Sequence, residues 1–397
     1  MKVSLSTIGK FHTFDLGRQL QHRQALAAIY TGYPAFKLKQ EGLPAEKIHT
    51  FPWLQGPYMA LPRIRQALDV RSRRLWEHWA AISFDRYTAR ALGECDVFVG
   101  LSGSALRTGR AAKARGIRYV CDRGSSHIRF LEQIMAEEHE RWSLPYHGID
   151  PRVIEREEAE YELADRITIP SGFVYDSFIQ QGVTPSKLRV VPYGVDLQRF
   201  QSVARPERDR FDVLFVGNVS VRKGIGYLLQ AFHRLQHPNK RLTLVGGISP
   251  DGASLLKRHA SAEDDIVTLG HVSQPKLKHI MSRSHVMVLP SIEEGLALVQ
   301  AQAMACGCPL ISSRHSGALD LIEDGKEGYI VPIRDADAIA DRLQRLADDP
   351  GLQEQMRDAA LARVGSLGGW HQYGELMDAM LRDVCASHRN AGKGLPA

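Results

Sequence analysis

A chain of 397 residues with 51 Lys and Arg against 45 Asp and Glu, formal net charge +6, is longer than one hydrophobic core usually serves, so two domains are expected. With 44% apolar and 24% charged residues it fits neither a disordered nor a fibrous chain. The positive balance permits an anionic partner, whether a nucleotide phosphate, a membrane surface or a nucleic acid, and selects none of them.

The start, Met1-Lys2-Val3-Ser4-Leu5, runs into a strand with no apolar signal core ahead of a cleavage site. No apolar run approaches the roughly 20 residues of a membrane span. Arginine is dense from Arg63 to Arg74, beside Leu75, Trp76 and Trp79. Two readings stay open there: a solvated helix face, or a helix lying on an anionic membrane surface. Residues 97–101 read as a buried strand, followed by the loop Ser102-Gly103-Ser104, a helix to Arg115, and a second strand at 117–121. Residues 128–164 carry apolar positions at helical spacing. A strand at 167–170 follows, with Ser171 placed to cap the next helix. Pro and Gly punctuation at 190–196, then a polar stretch at 201–210, mark a linker.

A second strand–helix series begins beyond it, with strands at 213–216, 242–245, 266–269, 286–289 and 309–312. A turn at 323–328 leads to another strand at 329–331. This alternation predicts an α/β chain of two doubly wound parallel sheets facing a central cleft, with domains at 1–195 and 196–369. Residues 388–397 read as a frayed tail. The five cysteines, Cys95, Cys121, Cys306, Cys308 and Cys385, are odd in number and sit in apolar surroundings, as in a reducing cytoplasm. Cys306-Gly307-Cys308 lacks the partners of a zinc site.

Open parallel sheets bind ligands at the carboxyl ends of their strands, so three strand-to-helix loops of the second half matter. In Gly217-Asn218-Val219-Ser220-Val221-Arg222-Lys223-Gly224, Lys223 lies near a helix N-terminus, where a cation beside free N–H groups suits a diphosphate. In Pro290-Ser291-Ile292-Glu293-Glu294-Gly295, Gly295 permits close backbone approach to a ligand. The amides of Leu296, Ala297 and Leu298 open the helix that follows. A carboxylate beside phosphates gains nothing from them, so Glu294 is suited to accept from sugar hydroxyls. Gln302 lies roughly two turns on, about 10 Å along the helix. The third loop, Gly270-His271-Val272-Ser273, offers backbone groups to a flat base.

Together these loops resemble the retaining glycosyltransferases of family 4, which have the GT-B architecture of two Rossmann-like domains. The resemblance rests on Gly217 through Gly224, on Pro290-Ser291 through Gly307-Cys308-Pro309, on Ser316-Gly317-Ala318, on Asp324-Gly325 to Gly328, and on the link Val191-Pro192-Tyr193-Gly194-Val195-Asp196. It implies that Lys223 holds a donor diphosphate, that Glu294 accepts from the transferred sugar, and that the amides after Gly295 meet the distal phosphate. The backbone near His271 and Val272 would read the base. Two positions depart from the family. Asn218 stands where an arginine is usual, with Arg222 nearby. Gln302 replaces the ribose-binding glutamate and offers one acceptor oxygen and a donor amide. In the first half, Gly9 stands in the first loop over the reaction centre, and His127 is the histidine expected near the transferred sugar. Asp122 and Arg123 read as a pair holding that loop. Residues 370–388 resemble the helix that crosses back onto the first domain.

The resemblance implies a UDP- or GDP-sugar moved with retention onto a glycan, lipid-linked or small-molecule acceptor in surface polysaccharide synthesis. No cofactor and no metal are expected, because the leaving diphosphate is met by Lys223, Arg222 and helix amides. Peripheral contact with the inner face of a membrane is the further expectation, and no nucleic acid. An epimerase or phosphorylase on the same fold, or a degenerate binding subunit, stays open.

Overall fold

The computed structural model describes residues 1–61, 68–196, 199–261 and 264–391. Arg63, Ile64 and Arg65 of the basic stretch lie outside them. The first unit is a seven-stranded sheet of β1 (Val3–Thr7), β2 (Leu26–Thr31), β3 (Ile48–Thr50), β4 (Val97–Leu101), β5 (Arg118–Asp122), β6 (Arg166–Ile169) and β7 (Leu188–Val190). Its order is β3-β2-β1-β4-β5-β6-β7, every pairing parallel. The described helices between these strands are α1 (Thr13–His22), α2 (Gln55–Ala60), α3 (Val70–Ala91), α4 (Leu106–Ala114), α5 (Ile128–Arg141), α6 (Pro151–Leu163) and α7 (Gly172–Gln180).

The second unit is a six-stranded parallel sheet of β8 (Phe211–Val216), β9 (Lys240–Val245), β10 (Ile266–Gly270), β11 (Val286–Leu289), β12 (Leu310–Ser313) and β13 (Gly328–Val331), in the order β10-β9-β8-β11-β12-β13. It carries α8 (Ile225–Arg234), α9 (Pro250–His259), α10 (Gln274–Arg283), α11 (Leu298–Ala305), α12 (Ala336–Asp348) and α13 (Pro350–Ser366), and α14 (Gly369–Ala391) ends the described chain. Both sheets are those of an α/β, GT-B-type architecture. No helix among the described residues is long and apolar enough to cross a membrane.

Strand β1 lies between β2 and β4, and β8 between β9 and β11, so each sheet changes winding direction at its first strand. The crevice beside such a switch point is where open α/β sheets hold ligands. The loops leaving β1 and β4 flank it in the first unit. Those leaving β8 and β11 flank it in the second.

The helical spacing over 128–164 is realised as two helices, α5 and α6. Ser143 and Gly148 take left-handed backbone, φ +50° and +71°. Pro151 opens α6, and the Asp150 side chain caps it by accepting from the Arg152 amide at 3.0 Å. Helix α14 joins the core of the first unit. Tyr373, Met377, Met380, Leu381 and Val384 are buried with Leu5, Phe14, Leu16 and Leu20. Each such side chain contributes roughly 1.5–3 kcal/mol when fully buried. The two passages of chain between the units touch. A Cβ at Gly194 would overlap the backbone of Gly369 and Trp370, so only glycine fits there.

Candidate functional site

Between the units lies a cleft of about 1540 Å³. Its second-unit wall includes Glu294, Leu296, Leu298 and Gln302, and its first-unit wall includes His12, Arg18 and Tyr193.

The second-unit wall is built from the two switch-point loops. After β8 the chain turns at Gly217 and reaches Gly224, whose left-handed backbone (φ +69°) starts α8. A Cβ at Gly224 would overlap the Pro290 carbonyl, so glycine lets the two loops lie against each other. The Ile292 amide donates to the Arg222 carbonyl at 2.9 Å and ties them together. This places Lys223 against Glu294, and the two form an ion pair. Burial, and then the Arg222 charge, pull the Lys223 amine down to about 7, with Glu293 acting in the opposite sense.

Glu293 points the other way and is fully buried. One carboxylate oxygen accepts from Ser125 Oγ at 2.7 Å, Ser126 N at 2.9 Å and Ser126 Oγ at 2.7 Å, all in the loop after β5. The other accepts from Arg222 at 2.7 Å and 2.8 Å. Burial pushes this carboxyl up, but Arg222 and the serine donors outweigh it and hold it at about 2. One ionised side chain of the second unit thus grips the first.

The first-unit wall is polar and largely self-paired. His12 Nε2 lies 2.7 Å from Asp122 Oδ2, and Thr168 Oγ1 donates to Asp122 Oδ1 at 2.9 Å. The His12 ring stands 4.2 Å from that of Tyr193. On α1, Asp15, Arg18, Gln19 and His22 recur at helical spacing along the cleft. Arg18 pairs with Asp15 and with Glu41, the latter at 2.9 Å, and Lys10 also pairs with Glu41.

The pattern described as Glycosyltransferase Family 4 matches residues 11–199, and that described as Glycosyl transferases group 1 matches residues 198–363. The chain belongs to this group 1/family 4 of glycosyltransferases. A D-inositol 3-phosphate glycosyltransferase of Pseudarthrobacter chlorophenolicus is 31% identical over 242 residues, 56% of this chain and 57% of that protein. One from Catenulispora acidiphila is 28% identical over 329 residues, 77% of this chain and 76% of that protein. The matches to the first three relatives span between 51% and 57% of those proteins. In fold, sucrose-phosphate synthase from Thermosynechococcus elongatus superposes with a TM-score of 0.69 at 21% identity, covering 98% of this chain and all of the other. Anabaena HepE, solved with UDP and glucose, gives a TM-score of 0.71 at 16% identity over 96% of this chain and all of its own.

Several family expectations sit differently in the structure. His127 does not line the cleft. It is 3% exposed, its ring lies about 5 Å from those of Tyr161 and Phe178, and its Nδ1 caps α5 by accepting from the Arg129 amide at 3.2 Å. Burial, then Arg123, push its imidazole down to about 4. Three other histidines line the cleft, His12 from the β1 loop with His22 and His371, and of these His12 is the one paired with Asp122. Asp122 and Arg123 both hold the loop, but through other partners. Asp122 meets His12 and Thr168. Arg123 donates to the Ser126 carbonyl at 3.0 Å and 2.9 Å and pairs with Glu157 at 2.6 Å.

Gly295 is required by protein rather than by ligand, because a Cβ there would overlap the Gly124 carbonyl. The Ala297 amide donates to the Ser316 carbonyl at 3.3 Å and is not free for a phosphate. Arg222 is bound to Glu293, so it acts first on the grip between the units. Asn218 and His271 both approach Gly247 and are not among the cleft-lining residues, and Val272 packs on the second-unit core. Gly9 sits in the β1 loop, its carbonyl accepting from Thr7 and Thr31 hydroxyls at 3.3 Å each. Gln302 lines the cleft as expected. Among the described residues no group of three or more His, Cys, Asp or Glu is gathered to hold a metal.

The fit at Gly295 has a direct consequence. Gly295→Ala is expected to lower unfolding stability by about 1–3 kcal/mol, as overpacking against backbone does. Gly365→Ala, inside α13 with open space around its Cβ position, is expected to raise it by about 0.5–1 kcal/mol. Urea titration of the two variants checks both signs.

Proposed function

We propose that this chain transfers a sugar from a UDP- or GDP-sugar to a hydroxyl of a glycan, lipid-linked or small-molecule acceptor, with retention of anomeric configuration. The observation that carries the reading is Glu294, which lines the cleft and is paired at the second sheet's switch point with Lys223. In this reading the donor diphosphate takes Lys223 from Glu294, and the released carboxylate accepts from sugar hydroxyls. Lys223 and the helix amides near Leu296 and Leu298 then stabilise negative charge as the diphosphate leaves. Arg222 holds Glu293 and so positions that loop. Gln302 meets the ribose. The departing diphosphate takes the acceptor proton, no metal or other cofactor is required, and the work is cytoplasmic.

The test is transfer from a panel of UDP- and GDP-sugars, with the product's anomeric configuration read by NMR, with and without EDTA. Retention and indifference to EDTA are expected. Inversion, or loss restored by magnesium, would overturn the respective part. Isomerised donor in the absence of acceptor would favour an epimerase instead.

A pH dependence follows. A diphosphate beside Lys223 raises the amine's pKa above its free value near 7, so above pH 7 donor binding takes up a proton. Donor Kd is expected to be flat below pH 7. Above it, Kd rises by up to about tenfold per pH unit. Calorimetry in buffers of different ionisation enthalpy measures the proton uptake, which Lys223→Met abolishes.

A further inference from the structure

Six of the twelve large apolar side chains that stand exposed among the described residues fall between Phe36 and Trp79. Two of them are on α3. Leu75 and Trp79, 40% and 53% exposed, share a stripe with Arg86 and Arg90, because steps of four, seven and four residues return to one face of a helix. All four are exposed, whereas Ala80, Ala81, Phe84 and Thr88 on the opposite side are buried. The stripe is about 22 Å long at 1.5 Å per residue.

Helix α4 extends its basic end with Arg107 and Arg110, both exposed. Arg86 and Arg107 line both of two grooves of about 410 Å³ each. Among the described residues no carboxylate pairs with any of these four arginines. In the cleft, by contrast, Arg18 and Arg123 both do. The acid between the two helices, Asp85, is buried and caps α4, accepting from the Arg107 and Thr108 amides at 2.7 Å and 2.8 Å. Among the described residues Asp85 is the one acid lining these grooves, against Arg86, Arg90, Arg107, Arg110 and Arg156, so the patch keeps an excess of positive charge.

We propose that this face of the first unit docks onto an anionic phospholipid surface, with Trp79 and Leu75 entering the interfacial layer and the four arginines meeting headgroup phosphates. The charge selects an anionic partner. The apolar pair on the same stripe favours lipid over a small soluble anion, since a lipid layer takes Leu75 and Trp79 out of water while its phosphates meet the arginines. This docking does not rest on the transfer reading and is measured without donor or acceptor.

The experiment uses the full chain and vesicles of phosphatidylcholine, with or without phosphatidylglycerol. The protein is expected to sediment with the anionic vesicles only, and less as salt is raised. Replacing the four arginines together by Gln is expected to weaken binding on the order of 1000-fold, at about 1 kcal/mol per charge. Leu75→Ser with Trp79→Ser weakens it as well. Quenching of tryptophan fluorescence by brominated lipid should fall in Trp79→Phe. Unchanged melting temperature and unchanged nucleotide-induced thermal shift in every variant keep folding and donor binding out of the result. The proposal is overturned if the anionic vesicles are not bound, if the four-Gln variant binds as the parent does, or if the patch retains an anionic polymer while vesicles are ignored.

Discussion

Lys223→Ala is expected to lower kcat/KM for sugar transfer by about 10²–10³-fold, the effect of removing one pre-placed charge stabiliser, worth about 2.7–4 kcal/mol. The loss should fall on kcat more than on KM, because charge on the diphosphate oxygen grows as the bond to the sugar breaks. Lys223→Arg restores charge, but a planar fork does not fit the place of a compact ammonium, so only partial rescue is expected. The folded state should tolerate the change. Glu294, left without its partner, is partly open to water in the cleft. Steady-state kinetics beside a melting curve separate the two effects. A variant with parental kcat/KM would remove Lys223 from the chemistry.

Glu293 gives the largest expected effect on stability. Its carboxylate is fully buried and meets three donors from the first unit and the Arg222 guanidinium from its own. Glu293→Ala strips their partner from all of these at once, and about 3–5 kcal/mol of destabilisation is expected. Glu293→Gln keeps the shape and loses the charge, so it should cost less. Because the native carboxyl sits at about 2, below its ordinary value of 4.5, its contribution is complete above pH 4.5 and is lost as pH falls toward 2. Over that window the parent should lose about 3 kcal/mol more stability than Glu293→Gln does. Acid titrations of the two proteins, followed by tryptophan fluorescence, measure the difference.

The second unit was the more legible half, for a physical reason. Its strands are short runs of β-branched and apolar residues closed by glycine or proline, and 286–289 followed by Pro290 is as clear as such a signal becomes. The first unit hides three strands. Leu26–Thr31 begins Leu-Ala-Ala-Ile, which suits helix as well as strand. Ile48–Thr50 and Leu188–Val190 are three-residue edge strands, and the second merges with the punctuation of the linker. Helical spacing over 128–164 was real, but the left-handed Ser143 and Gly148 interrupt it.

At the site, sequence order brings out the loops of Lys223 and Glu294, and Glu294 and Gln302 line the cleft, but it does not show that Lys223 and Glu294 pair. It took Gly295 and the Ala297 amide for ligand contacts, whereas tertiary packing engages both with protein. His127 misled because a histidine after a strand also suits a helix cap. The signal for His12 is a histidine five residues beyond the end of the first parallel strand, at the switch point. Glu293 has no role in the sequence reading, which assigns one only to Glu294. Only the fold shows that adjacent carboxylates face different units.

The burial of α14 against α1 sets an order of assembly. The core around Leu5 and Phe14 is completed by Tyr373, Met377, Met380, Leu381 and Val384. During synthesis the first unit's α1 side therefore stays uncovered while more than 340 residues are added, and the second sheet, with all its strands between 211 and 331, can form in the meantime. A ribosome-stalled or proteolysed chain ending before residue 369 would present that uncovered apolar face to solvent. Such fragments are therefore where aggregation and chaperone capture should concentrate.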